Sequence, residues 1–390
     1  MKKAAEIIIN PGEEYRPEKR KWQGVPSVEK TGNRLWAAWM TGGKYEPCIK
    51  NYGILTYSDD NGENWIDPYM VITCNTADGQ RTYEHQLWLA PDGRLWLYWC
   101  QDIYAPDAKE SDFDTKPEVL ETDYFYETQA WAIYTDDPQN AQPKWSEPIY
   151  LAPKATIRNR PISLKNGDYL LPGYDIRNKE YYQYLLSKDK GMTAEVKKGP
   201  ELLGKKNFDE CMAVERKDGS LWFLARTLTG HLAESFSYDE GQTWTKTQES
   251  AIPNPCTRFF IGRLKNGALL MINTPRSQVG NRTGLVASLS LDDGKTWSYC
   301  LELDDREHTT YPDAVQSDDG SIYVIYDCQR DNRQKARKDD PNKSDAAKEI
   351  CMARFTMEDL ENEKMISPQS YTRKIISKVY DCDRTPGNKV

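Results

Sequence analysis

Pro91-Asp-Gly-Arg-Leu-Trp-Leu-Tyr-Trp99 reads as a tight turn followed by a short apolar strand. The same phrase returns as Thr31-Gly-Asn-Arg-Leu-Trp-Ala-Ala-Trp39, Lys165-Asn-Gly-Asp-Tyr-Leu-Leu-Pro172 and Lys217-Asp-Gly-Ser-Leu-Trp-Phe-Leu224. It returns again as Lys265-Asn-Gly-Ala-Leu-Leu-Met-Ile272 and Asp318-Asp-Gly-Ser-Ile-Tyr-Val-Ile325. Asp-Gly and Asn-Gly supply the left-handed backbone that a hairpin turn needs. The run after each is too short for a helix and rich in strand-formers. The turn glycines Gly32, Gly93, Gly167, Gly219, Gly267 and Gly320 are spaced 48 to 74 residues apart.

A second phrase is interleaved with the first: Ser58-Asp-Asp-Asn-Gly-Glu-Asn-Trp65, Ser237-Tyr-Asp-Glu-Gly-Gln-Thr-Trp244 and Ser290-Leu-Asp-Asp-Gly-Lys-Thr-Trp297. Ser187-Lys-Asp-Lys-Gly-Met-Thr193 is a degraded copy. Its chemistry is that of a self-contained turn, in which Asp accepts backbone N–H groups, Gly turns the chain and Trp covers the loop. These aspartates are structural. Repeats of this length, each holding several short strands, predict an all-β propeller. A blade cannot bury both faces alone, so blades must pack in a ring. Six hairpins predict six blades in one domain over 1–390, at roughly 20–75, 80–150, 155–200, 205–255, 257–305 and 308–360, with a tail at 361–390. Thr356–Lys364 reads as a short acidic helix or turn, and Tyr104–Tyr126 and Gln329–Lys348 as charged insertions.

The ring also accounts for size and composition. At 390 residues the chain is too long for one ordinary core. It carries 12 Trp and 24 Tyr, which excludes a disordered chain, and eight of those Trp fall in the repeated phrases. Mean hydropathy is -0.80, with no apolar run long enough for a spanning helix, so no membrane association is expected. The net charge of -8 argues against a general nucleic-acid binder. Nine Cys without a CxxC pair, and three scattered His, give no metal or redox motif, so neither metal nor cofactor is expected. Glu6 and Pro11 interrupt any leader-like apolar run, and a cytoplasmic location with free thiols is the expectation.

A propeller gathers the loops of its inner strands over one central pocket. The strongest polar segment is Phe208-Asp-Glu-Cys-Met-Ala-Val-Glu-Arg-Lys-Asp-Gly-Ser-Leu-Trp-Phe-Leu-Ala-Arg226, where a hairpin brings Glu210 and Arg226 to one end of the sheet. Arg282 precedes another strand, and Thr310-Tyr-Pro-Asp-Ala-Val-Gln316 opens the sixth blade.

With its Asp boxes and these segments the chain resembles the sialidase (neuraminidase) superfamily over about residues 20 to 360. The resemblance implies a glycoside hydrolase acting on an anionic terminal sugar. It makes Tyr311 the nucleophile and Glu210 the base that activates it. It makes Arg226 and Arg282 carboxylate-binding arginines and puts Asp327 where the family has the acid that steadies its first arginine. Sialidases carry Arg-Ile-Pro near the first inner strand. Here the phrase is Trp22-Gln-Gly-Val-Pro-Ser27, with Gly24 at the arginine position and Gln23 beside it as a candidate contact. Glu46 is the carboxylate of the loop Thr41–Asn51 and the candidate acid/base.

A tyrosine nucleophile is a poor one until a neighbouring base takes its proton. It suits a substrate that carries its own negative charge. Arginines hold a carboxylate by paired hydrogen bonds. Arg258 precedes an inner strand and is placed to stand in for the missing arginine. Of Arg158, Asn159 and Arg160, one faces the pocket, and Arg160 is taken as that residue. Glu84 and His85, before the second inner strand, are candidates for sugar contact or proton donation. Other exo-glycosidase chemistry, a lyase on uronate-containing glycans and a non-catalytic glycan-binding propeller are the alternatives. In each the partner is an oligosaccharide or glycoconjugate.

Overall fold

The computed structural model describes residues 2–43, 46–104, 125–175, 177–178, 180–204, 210–279, 281–329 and 348–379. Most of the two charged insertions lies outside these residues. Six antiparallel sheets follow one another along the chain. In blade 1 the strands Gln23–Thr31, Arg34–Thr41, Tyr52–Ser58 and Ile66–Ile72 pair in sequence order, and Ile7–Ile9 adds a fifth at the outer edge. Blade 2 is Gln80–Leu89, Leu95–Tyr104, Phe125–Thr135 and Ile149–Pro153. Blade 3 has a divided inner strand, Thr156–Ile157 and Ile162–Ser163, both paired with Tyr169–Tyr174 ahead of Tyr181–Ser187 and Glu195–Glu201.

Blade 4 runs Cys211–Glu215, Leu221–Ala225, His231–Ser237 and Gln248–Pro253. Blade 5 runs Phe260–Arg263, Leu269–Asn273, Leu285–Ser290 and Ser298–Asp304. Blade 6 takes its outermost strand, Tyr371–Val379, from the stretch set aside above as a tail, after Thr309–Gln316, Ile322–Cys328 and Lys348–Phe355. The short helix Met357–Glu361 links its last two strands and begins with a capping box between Thr356 and Asp359. The described cysteines are free thiols.

The Asp boxes are the turns their chemistry implies. In the fourth, Ser290 donates to Asp292, Gly294 N–H donates to Ser290 at 2.7 Å, and Thr296 donates to Asp292 from both N–H and hydroxyl at 2.8 and 2.6 Å. In the first, hydrogen bonds from the Asn64 backbone and the Ser58 side chain lead in lowering the Asp60 carboxyl to about 2. The box glycine has a second task. Gly191 and Gly294 lie at φ +89° and +92°, and each backs onto an aromatic ring of the preceding blade, Trp96 and Trp222. A Cβ on Gly191 would sit 2.7 Å from the Trp96 ring. Both the turn and the contact between blades therefore demand glycine.

Among the described residues no strand is shared across the ring closure; buried polar side chains clasp blade 6 to blade 1 and blade 1 to blade 2. Asp313 accepts from Ser27 Oγ at 2.8 Å and from Val28 N–H at 2.9 Å. Ser27 in turn accepts from Leu87 N–H at 2.9 Å, and Glu29 accepts from Leu89 N–H at 2.9 Å. Arg160, reaching across from blade 3, binds the carbonyls of Ala314 and Val28 and the Glu29 carboxylate.

Candidate functional site

Three inner strands carry a bulge at the same place: between Gly24 and Ser27, between Tyr83 and Gln86, and between Thr310 and Asp313. Within them Val25, Glu84 and Tyr311 sit at φ 60°, 53° and 57°. Non-glycine residues hold this backbone only under strain, and a β-branched valine most of all. Pro26 and Pro312, next in line, have no N–H to give a ladder, which favours the break. Asp327 accepts the Val25 N–H at 2.8 Å and fastens the first bulge. The bulges take Glu84 and Tyr311 off the ladder at the end of the axis where the inner strands begin.

There Tyr311 donates its hydroxyl to Glu210 Oε1 at 2.8 Å. Arg226 Nη1 binds Glu210 Oε2 at 2.8 Å, and Arg158 Nη1 lies 3.2 Å from Oε1. The guanidinium of Arg158 also reaches Glu84, with Nε 3.3 Å from Oε1, while Arg258 Nη1 lies 3.7 Å from Glu84 Oε2. Arg258 is held from behind: Nε donates to Asn159 Oδ1 at 2.7 Å and Nη2 to Gln86 Oε1 at 3.0 Å. Asn159 completes the brace by donating to the Cys211 carbonyl at 2.8 Å. The guanidinium carbons of Arg258 and Arg282 lie 5.5 and 5.7 Å from the Tyr311 ring centroid. Both are within cation–π range.

The two central carboxyls are driven apart. Burial acts to raise Glu210, but the charges of Arg226 and Arg158, with the Tyr311 hydrogen bond, outweigh it and hold the group well below the usual carboxylate range. Glu84 is raised to about 7 by burial, only partly offset by Arg158 and Arg258 and reinforced by the charges of Glu46 and Glu210. Neither Glu84 oxygen takes a hydrogen bond among the described residues. A pair of carboxyls with opposed shifts in one pocket is the pattern of an acid and a base with separate tasks.

Of the residues singled out from sequence, Tyr311, Glu210, Arg226, Arg258, Arg282 and Glu84 come together here. Glu46 stands half-buried at the pocket's blade 1 side, close enough for its charge to act on Glu84. Four candidates belong elsewhere, among them Asp327, which accepts the Val25 N–H of the first bulge. Gln23 is buried, donating to the Lys348 carbonyl at 2.9 Å and accepting from Ser377 at 3.0 Å, so it closes the ring between blades 1 and 6. His85 is fully buried against Gly53 of blade 1, and burial lowers its imidazole to about 3, which favours the uncharged ring. Arg160 turns to the opposite end of the axis. There it helps line a cavity of about 390 Å³ with Trp88, Ser163, Glu215, Arg263 and Gln316, none of them in the polar cluster.

Two members of the trio enter the site, Arg158 at the carboxyls and Asn159 behind Arg258. The inner strand breaks between Ile157 and Ile162, so regular alternation does not relate 158 to 160. Pro161 beside the break was the available signal. Gln86, two residues past Glu84, was missed because the bulge hides its direction.

Comparison with known proteins matches residues 32–324 to the model of the BNR repeat-like domain. The intramolecular trans-sialidase from Ruminococcus gnavus, solved with oseltamivir carboxylate, superposes with a TM-score of 0.65 at 14% identity, over 91% of this chain and 98% of that one. The NanB sialidase from Streptococcus pneumoniae gives 0.62 at 16% identity, over 83% and 67%. A protein of unknown function from Dyadobacter fermentans gives 0.60 at 19% identity, over 84% and 94%. No curated protein matches the sequence. At these identities the likeness establishes the six-bladed sialidase fold.

Proposed function

Because this chain belongs to the family of BNR repeat-like domains, and its fold is that of the sialidases, we propose that the pocket above is a glycosidase site acting on the terminal, negatively charged sugar of a glycan. The observation that carries the reading is the Tyr311–Glu210 hydrogen bond of 2.8 Å, with Arg226 on the far oxygen of the same carboxylate. In the first step the Tyr311 oxygen attacks the anomeric carbon and the glycosidic C–O bond breaks. As the new bond forms the phenolic proton becomes strongly acidic and passes to Glu210, so the low basicity of Glu210 is no obstacle. A proton must reach the departing oxygen. In the second step water displaces the tyrosine oxygen, which recovers its proton from Glu210, and the proton that the water sheds returns to the group that protonated the departing oxygen. Two displacements give net retention at the anomeric carbon. A tyrosine nucleophile departs from the two-carboxylate rule of most glycosidases.

Arg226 and Arg282 flank the tyrosine from blades 4 and 5 and supply the anion grip. Arg258 adds positive charge beside them, but it is already engaged by Glu84, Gln86 and Asn159. Blade 1 offers Gly24 and Val25 in place of an arginine, and Asp327 binds backbone there. The grip is therefore one-sided, weighted to blades 3 to 5. This favours a carboxylated sugar held by two or three guanidinium groups over one clamped symmetrically.

The test is turnover of fluorogenic glycosides of sialic acid, other ulosonic acids and uronic acids, with Tyr311→Phe alongside the parent. The expected result is release of one sugar class, lost by at least ~10³-fold in Tyr311→Phe, in line with removal of an activated nucleophile. Undiminished turnover in Tyr311→Phe would overturn the nucleophile assignment. Glycan binding without turnover would make the site a lectin pocket.

A further inference from the structure

Glu84 is left unexplained by the nucleophilic pair. It is fully buried, its backbone is held at φ 53°, and both carboxyl oxygens lack a hydrogen bond among the described residues. Its ion-pair distances, 3.3 Å to Arg158 and 3.7 Å to Arg258, are long for charge-assisted contacts. A buried carboxylate that served only to neutralise these two guanidinium groups would be expected to close on them. A strained backbone that holds such a group among guanidinium groups without closing on them is a costly feature for a scaffold. Glu84 and Glu210 also share one guanidinium, Arg158, so the two carboxyls stand on either side of a single side chain in the same pocket.

We propose that Glu84 is the proton donor of this site: it carries the proton that goes to the departing glycosidic oxygen. The inference rests on the glycosidase reading above and names the group that reading leaves open. As the C–O bond to the leaving group breaks, the Glu84 O–H bond breaks and its proton joins that oxygen. The carboxylate that remains is stabilised where it stands by Arg158 and Arg258. In the second step the Glu84 carboxylate takes a proton from the attacking water, whose oxygen bonds to the anomeric carbon as the bond to Tyr311 breaks. Protons balance over the cycle, and the acid is restored.

Groups facing Glu84 come from several elements: Arg158 of blade 3, Glu210 of blade 4, Arg258 of blade 5, Glu46 from the blade 1 loop, and Cys100 on the neighbouring strand of its own blade. Two cations lower its proton affinity, two carboxylates raise it, and burial raises it most. Glu46, less buried, is the rival donor.

The experiment has two arms on the full chain. The first reads protonation directly, as the infrared C=O band of a protonated carboxyl on either side of neutrality, in the parent and in Glu84→Gln. The expected result is a band in the parent-minus-variant difference at neutral pH that disappears on alkalinisation, the raised carboxyl of Glu29 being common to both and cancelling; a difference spectrum without that band overturns the proposal. The second arm compares 4-methylumbelliferyl sialoside, whose phenol leaves without help, with sialyllactose, whose alcohol needs a proton. Glu84→Gln is expected to lower kcat/KM on sialyllactose by ~10²–10⁴-fold, while the aryl sialoside loses less than about tenfold. The alkaline limb of the parent's pH profile should vanish in the variant.

Loss of Arg158 and Arg258 positioning would depress both substrates alike, and that outcome, or the leaving-group signature appearing in Glu46→Gln instead, overturns the proposal. Glu84→Asp, which keeps an acid, is expected to keep the parent's leaving-group dependence and guards against a glutamine variant that does not fold. If neither sialoside is turned over while the infrared band behaves as stated, the substrate reading has failed and the protonated Glu84 has not. Tyr311→Phe separates the two in the other direction, since it should depress both substrates equally.

Discussion

Glu210→Gln keeps the shape of a side chain at the centre of the site and removes its charge. Glu210 is 0% exposed and faces Arg226 at 2.8 Å, Arg158 at 3.2 Å and the Tyr311 hydroxyl at 2.8 Å. After the substitution Arg158 keeps Glu84, but Arg226, itself 3% exposed, loses its carboxylate. Removing one partner of a buried ion pair costs about 3–5 kcal/mol. The Tyr311 hydrogen bond survives on the amide oxygen in weaker form, so it adds little to that figure. The expected loss shifts the folding equilibrium by roughly 10²–10⁴.

The sign of the pH dependence follows from the depressed Glu210 carboxyl. Such a group contributes stability that is present above its unfolded value, near ~4.3, and is lost as pH falls through the lower folded value. The gap between parent and variant is therefore widest at neutral pH and closes in acid. Urea unfolding followed by tryptophan fluorescence, at neutral pH and at successively lower pH, measures it. The variant Arg226→Met alone should also destabilise, and Glu210→Gln with Arg226→Met should cost less than the two losses added. A neutral-pH loss below about 1 kcal/mol, the size of an exposed pair, or a gap that does not narrow in acid, would refute the reasoning.

Gly53→Ala should be disproportionately damaging for so small a change, because the added Cβ would overlap the imidazole of His85 at Nε2, Cδ2 and Cε1. A loss of about 1–3 kcal/mol or more in thermal or urea unfolding is expected from overpacking, and His85→Ala in the same chain should recover most of it. Arg160→Met strips the partner from Glu29 and Asp313 and is expected to cost about 3–5 kcal/mol with KM unchanged, whereas a substrate-binding arginine would show the reverse. Burial already raises Glu29, and losing Arg160 should raise it further. A carboxyl raised in the folded state favours folding at low pH and loses that contribution as pH rises through the folded value, so the Arg160→Met deficit should grow from acid toward neutral pH. Tyr311→Phe, in contrast, leaves Glu210 with both guanidinium groups and should lose no more than the ~1.5–3 kcal/mol of one hydrogen bond to a charged acceptor, so its inactivity would not be a folding defect.

The architecture was legible because it is written locally. Each hairpin turn and each Asp box is specified by residues within eight positions of one another, and their recurrence alone implies blades in a ring. Even the surplus of tryptophan is local in origin, since Trp96 and Trp222 belong to repeated phrases and pack on the box glycines of the next blade. The outermost strand of blade 6 was not legible. Tyr371–Val379 carries no turn phrase, and only pairing with Lys348–Phe355 gives it a place.

For the site, the resemblance set Tyr311 beside Glu210. Tyr311 and Glu210, 101 residues apart, do meet. Direction was the failure: Gln23, His85 and Arg160 lie beside or within interrupted inner strands, and there the alternation of side chains that a sequence reader counts by is broken. One residue of slip sends His85 into the seam between blades while Glu84 faces Arg158 and Arg258, and an interrupted strand sends Arg160 to one end of the axis and Arg158 to the other.

The sequence alone therefore determined the unit, the number of units and the chemistry available, because turns and short strands are decided by neighbours along the chain. Only the tertiary structure decided which charges face one another. The opposed fates of Glu210 and Glu84 come from guanidinium groups on blades 3, 4 and 5 and from burial beneath all six, and burial and through-space charge belong to the closed ring rather than to any stretch of it.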